Sequence, residues 1–199
     1  MKAVISRANQ FLTAGDYYLG CLNPRTGEFI TIDSQLNLIA VKPGSDEVSK
    51  VGIAGVLKKP TVAGFLRHGE WLVVADRTRL VRFDPKDYRF LGEAAIPSLP
   101  FTNDMGQEKT ASEDHVVSLN VSPDGEKLLV VNASGNATLW NTADLDKPSV
   151  LGRDARLTES DALAFSPNSQ ILALATSDRR VEVWETASPK KRGCRSPVL

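Results

Sequence analysis

The chain has 199 residues, 42% of them apolar and 24% charged, enough for a sizeable buried core and ordinary for a globular protein rather than a disordered one. Its 24 basic and 24 acidic residues cancel, so bulk charge selects neither nucleic acid nor a membrane as partner. Cys21 and Cys194 form no CxxC pair, no run approaches the ~18 apolar residues of a membrane span, and MKAVISRANQFL is too broken for a signal-peptide core; the expectation is an intracellular protein, cytoplasmic in the first place and nuclear as the alternative.

Lys2 to Ser6 (KAVIS) opens the chain as a short β-prone segment with no repeat of its own. A first repeat near 17–53 then carries a strand near 17–22, the run FITIDSQLNLIAVK at 29–42 and a further strand near 47–53. A second, near 61–94, has a strand near 61–66, WLVVADRTRLVRFD at 71–84 and a strand near 88–94. The third, near 116–151, is VSLNVSPDGEKLLVVNASGNATLWNT followed by PSVL, and the fourth, near 161–185, returns the same pattern as DALAFSPNSQILALATSDRRVEVWET.

The third and fourth copies read as strand, tight turn, strand, turn, strand, with alternating apolar residues and Pro-Asp-Gly or Pro-Asn-Ser at the first turn, and the first two keep the strand spacing with weaker marker residues. The second strands begin near 29, 71, 128 and 172, and Val41, Phe83, Trp140 and Trp184 fall in equivalent slots closing the third strands. Pro123 and Pro167 hold equivalent turn positions. Self-similarity at about 40 to 45 residues, with an aromatic ending the third strand, is the mark of one small sheet per repeat. The fourth repeat has no evident fourth strand; TASPKKRGCRSPVL reads as a basic, exposed, flexible tail over 187–199. Residues 95–115, with Pro97, Pro100 and Gly106, read as an inserted surface loop.

The third and fourth repeats resemble the WD-repeat family. SPDG at 122–125 and SPNS at 166–169 stand between the first two strands, Asp178 lies in the turn six residues before Trp184, and Trp140-Asn141 and Trp184-Glu185 take the place of the usual Trp-Asp. The resemblance covers most of the chain and implies an all-β fold: a β-propeller array of about four four-stranded antiparallel blades. In the family a His, the turn Asp, a Ser or Thr and the Trp bond to one another inside each blade. Only Asp178 and Trp184 match that set here, so packing is expected to hold these blades. The family also completes one blade with a strand from the other terminus, which would set Ala3 to Ile5, within residues 1–7, beside Val181 to Trp184. Family rings most often have seven blades. Four imply a small ring, an array that self-association or another protein completes, or a fragment of a larger propeller protein.

Catalytic groups are scarce. His68 lies in a turn, and His115, although close to Asp114, Ser112 and Ser118, sits on an extended segment where adjacent side chains point to opposite faces. There is no GxSxG, HExxH, GxxxxGK[ST] or EF-hand loop, and no cofactor or metal is expected. Trp71, Phe83, Trp140 and Trp184 are expected in the core. In the family frame one loop face collects Lys58, Lys59, Arg77, Arg79, Arg153, Arg156, Arg179 and Arg180, and the opposite loops are richer in acids. The expected function is a non-enzymatic scaffold for other proteins, with a nucleic-acid-associated assembly factor as the alternative. The Ser188 to Arg192 string SPKKR also resembles a proline-directed phosphorylation site.

Overall fold

The computed structural model describes residues 17–45, 48–98, 100–102, 105–152, 163–176 and 179–195. They form two compact units, Met1–Asp76 with Leu80–Glu93, and Arg77–Arg79 with Ala94–Leu199. Among the described residues regular structure is almost entirely strand, and no helix is long and apolar enough to cross a membrane.

Blade 1 is the sheet β1 (Tyr17–Leu22), β2 (Phe29–Asp33), β3 (Asn37–Val41) and β4 (Val48–Gly52); blade 2 is β5 (Pro60–Leu66), β6 (Trp71–Asp76), β7 (Arg79–Phe83) and β8 (Phe90–Ala95). After a short hairpin of β9 (Phe101–Thr102) and β10 (Glu108–Lys109) comes blade 3, with β11 (Val116–Val121), β12 (Lys127–Asn132), β13 (Ala137–Asn141) and β14 (Ser149–Gly152). Blade 4 is β15 (Leu163–Phe165), β16 (Ile171–Ala175), β17 (Val181–Glu185) and β18 (Lys190–Arg195). In every blade the strands lie in chain order, the simplest outcome when consecutive β-prone runs are joined by short turns.

Two expectations change. The region read as a tail supplies β18, which pairs with β17 from Val181↔Arg195 to Glu185↔Lys190. Two of its four cations pair across the ladder, Lys191 with Glu182 and Arg192 with Glu185, and a charged, glycine-containing segment is tolerated on an outer strand whose described side chains reach solvent. Residues 3–5 lie outside the described residues, and the β17 edge assigned to them is occupied by β18. The insertion, for its part, is not irregular throughout: besides the β9–β10 hairpin it holds a single turn of 3-10 helix at Ala111–Glu113, closed by reciprocal Thr110 and Glu113 bonds.

The core of the first unit joins Ile30, Ile32, Leu38 and Ala40 of blade 1 to Leu72, Val74, Val81 and Phe83 of blade 2. In the second unit Leu129, Val131, Ala137 and Leu139 of blade 3 meet Leu172 and Leu174 of blade 4, with Trp184 packed against them. Paired residues point to one side of a ladder and chain neighbours to opposite sides, so each cluster is one face of one sheet on one face of the next.

Candidate functional site

The hairpin turns are built from side chains as much as from backbone. In blade 3 the Ser122 hydroxyl donates to Asp124 Oδ1 at 2.6 Å and accepts from the Lys127 N–H at 2.9 Å. In blade 4 the Ser166 hydroxyl donates to Asn168 Oδ1 at 2.7 Å and accepts from the Ile171 N–H at 2.9 Å. Pro123 and Pro167 occupy these turns, their fixed φ suiting the second position. The residue after each Trp-Asn or Trp-Glu pair closes the same turn from behind: Thr142 Oγ1 donates to the Gly125 carbonyl at 2.8 Å, and Thr186 Oγ1 to the Ser169 carbonyl at 2.5 Å. Both threonines are buried. They close the repeat strings ending WNT and WET, which do not themselves reveal this role.

The aromatic slot is placed by register. Phe29↔Val41, Leu128↔Trp140 and Leu172↔Trp184 put the slot residue opposite the start of the second strand in blades 1, 3 and 4. Phe83 precedes Asp84, whose carbonyl accepts from the Tyr88 N–H as the Asn141 carbonyl does from that of Leu145. Where the slot is Trp, its indole N–H finds a partner two residues back on the same side of the strand: Trp140 donates to Thr138 Oγ1 at 2.9 Å and Trp184 to Glu182 Oε2 at 3.1 Å. Where it is Val41 or Phe83, the residue two back is Ile39 or Val81, since no buried donor has to be satisfied. Trp71 is not a core residue of this kind; it is half-buried, with the guanidinium groups of Arg67 and Arg82 at 5.5 and 5.1 Å from its ring centre.

Packing alone does not hold blade 3. The buried Asp114 carboxylate accepts from Asn132 Nδ2 at 2.9 Å, the Ser134 N–H at 3.0 Å and Ser134 Oγ at 2.8 Å. Asn132 and Asn136 both donate to the Pro97 carbonyl, at 3.1 and 2.9 Å. The inserted segment is thus anchored at both ends by buried groups. Asp178, the family's turn acid, lies outside the described residues.

The expected cations that fall among the described residues stand in the loop before β5 and in the β6–β7 and β16–β17 turns. Lys58 and Lys59 are exposed, and their backbone N–H groups donate to the carboxylate of the buried Asp76 at 3.2 and 2.5 Å. The acid thus fixes the loop while both ammonium groups remain in solvent. Arg77 follows Asp76, exposed and with a φ of 57°, whereas Arg79 is half-buried. In the second unit the Val116 N–H donates to the Arg77 carbonyl at 3.2 Å. Arg179, with a φ of 63°, and Arg180 are exposed in the turn that Thr176 closes by donating from N–H and Oγ1 to the Arg180 carbonyl. Arg153 and Arg156 lie outside the described residues. On the opposite loops Asp84 and Asp87 pair with Arg89 at 3.6 and 3.9 Å. Partial burial acts to raise the Asp124 carboxyl, but bonds from Ser122, the Glu126 N–H and Ser169 outweigh it and hold the group below the usual carboxylate range.

The sequence-adjacent Ser112, Asp114 and His115 are not brought into a catalytic arrangement. The Ser112 hydroxyl bonds to that of Thr110, His115 Nδ1 lies 3.3 Å from the Glu113 carbonyl, and Asp114 is committed to blade 3. His68 is exposed in its turn. Among the described residues no group of three or more His, Cys, Asp and Glu side chains is placed to hold a metal ion.

No family model matches the sequence, and neither does any curated protein. Among solved structures the chain is similar to the β-propeller domain of Myceliophteria thermophila Cps50 (Swd1), with a TM-score of 0.62 and 15% sequence identity over 92% of this chain. The chain spans 60% of that domain's length. Four four-stranded antiparallel sheets in sequence order, together with this likeness, give the chain the β-propeller fold, with blades that fit a divergent WD-repeat pattern.

Proposed function

We propose that the chain is a non-enzymatic interaction scaffold whose blades present fixed loops to protein partners. The observation that carries this reading is the anchoring of the Lys58–Lys59 loop by Asp76: the backbone is fixed by a buried acid and two exposed cations are displayed. Pre-organised display of this kind lowers the ordering cost of recognition. An acidic protein surface is the matching partner chemistry, and the exposed Arg179 and Arg180 give the second unit a cationic turn of its own. The neighbour's propeller fold is in keeping with protein partners, and the half-buried Cys21 thiol with a reducing compartment, cytoplasm before nucleus.

The test is capture from nuclease-treated lysate by the wild-type chain and by the Lys58→Glu/Lys59→Glu variant. Proteins retained by the wild type and lost by the variant support the scaffold; identical sets from both reject this face. The same cations favour one second reading, binding of nucleic-acid phosphates. In that case a labelled oligonucleotide binds the wild-type chain and its affinity falls steeply with salt.

A further inference from the structure

The two cores repeat one rule of assembly. In each blade the residues equivalent to Ile30, Ile32, Leu38 and Ala40 form a forward face, and those equivalent to Leu72, Val74, Val81 and Phe83 a rear face. The forward face of blade 1 packs on the rear face of blade 2, and the forward face of blade 3 on the rear face of blade 4. On blades 2 and 3 both faces are buried: Val73 and Ala75 as well as Leu72 and Val74, Leu128 and Val130 as well as Leu129 and Val131.

Blades 1 and 4 differ. The rear face of blade 1 carries an apolar row running across all four strands, Leu22, Phe29, Val41 and Val48. Leu22 is 63% and Val48 40% exposed, with Phe29 and Val41 half-buried. The forward face of blade 4 carries Ala173, Ala175, Val181 and Val183, register equivalents of the fully buried forward residues of blade 3. Val181 is 40% exposed and the other three are half-buried. One of these partly exposed faces is bulky and the other small, the pairing that lets facing layers interdigitate. Each belongs to the type that the other type covers elsewhere in the chain.

We propose that a second copy of this chain docks head to tail through these faces, the forward face of blade 4 in one copy on the rear face of blade 1 in the next. The two surfaces are different, so the contact is heterologous, and neither face pairs with its own kind.

The test uses the full chain and reads solution mass by light scattering over a concentration series. Two variants, Val181→Glu on the forward face and Leu22→Glu/Val48→Lys on the rear face, change exposed positions, and far-ultraviolet circular dichroism and melting check that each stays folded. The wild type is expected at a multiple of the monomer mass and each folded variant at the monomer mass. Their equimolar mixture is expected as a dimer and nothing larger, because one intact forward face and one intact rear face remain between them. A wild type that stays monomeric, a variant that keeps the wild-type mass, or a mixture that stays monomeric would each overturn the proposal. If a variant unfolds, Ala173→Ser and Val48→Thr, which weaken each face without introducing charge, are expected to shift assembly to higher concentration; no shift overturns the proposal too.

Discussion

The backbone N–H of Asp124 donates to the hydroxyl of Ser169 at 3.0 Å, tying the first hairpin turn of blade 3 to that of blade 4. The first unit has its own version at the corresponding turns. A Cβ placed on Gly69 in blade 2 would fall far inside van der Waals contact with Asn23 Oδ1 of blade 1 and 3.0 Å from Arg25 Cβ. Gly69 has a φ of +93° and Ser169 one of +59°. In both units, then, a left-handed residue in the later turn lets the turns approach.

Gly69→Ala is expected to destabilise the chain twice over, through its φ and through the Asn23 contact. The cost should be about 2 to 3 kcal/mol, within the range for backbone strain combined with overpacking. Gly44, with a φ of +74° and nothing within 4 Å of an added Cβ, is the control: Gly44→Ala should cost about 1 kcal/mol. Thermal melting of both variants decides the matter, and equal shifts would refute the close approach at Asn23.

Trp140→Ala should cost roughly 3 to 5 kcal/mol through lost burial and the cavity left behind. The finer test concerns the indole N–H. Trp140→Phe and Thr138→Val should each be destabilising, and together less so than their sum by about 1 kcal/mol, the net worth of one buried hydrogen bond. Urea unfolding of the four proteins gives the coupling; strict additivity would show that the bond contributes nothing.

Asp33 ties the β2–β3 turn. Burial acts to raise its carboxyl, but bonds from the Asn37 backbone and side chain and from the Gln35 N–H, with Lys50 at 3.5 Å, outweigh it and hold the group below the ordinary value. A carboxyl lowered in the folded state contributes stability that is complete above its unfolded pKa of about 4 and is lost as pH falls through the folded value. The melting temperature should drop as pH falls below about 4, and drop less for Asp33→Asn. A variant with the wild-type pH profile would exclude Asp33 as a contributor.

Cys21 packs against the first unit's core, and burial pushes its thiol up to about 12. The thiolate is the reactive form, so Cys21 should resist alkylation at mildly alkaline pH and react at the ordinary rate once the chain is unfolded in guanidinium. Peptide mass mapping reads the label. For a thiol raised in this way, the stabilisation is lost as pH rises from about 9 toward about 12.

The sequence by itself determined the blades. Period-two alternation, SPDG and SPNS at the first turns and the slot at Val41, Phe83, Trp140 and Trp184 are local patterns, and local patterns fix strand, turn and register when consecutive strands pair. The companion of each Trp was not read from the sequence: Thr138 and Glu182 emerged as the indole acceptors only from the structure. Tertiary structure alone decided that Lys190–Arg195 is a strand, because what makes it one is the backbone ladder to Val181–Glu185, which its charged, glycine-containing sequence does not announce. It also decided that Asp114 is a buried anchor and Asp76 the support of the Lys58–Lys59 loop. Those bonds span 18 to 20 residues at Asp114 and 17 to 18 at Asp76, and a carboxylate in a sequence does not show which distant N–H groups folding will bring to it.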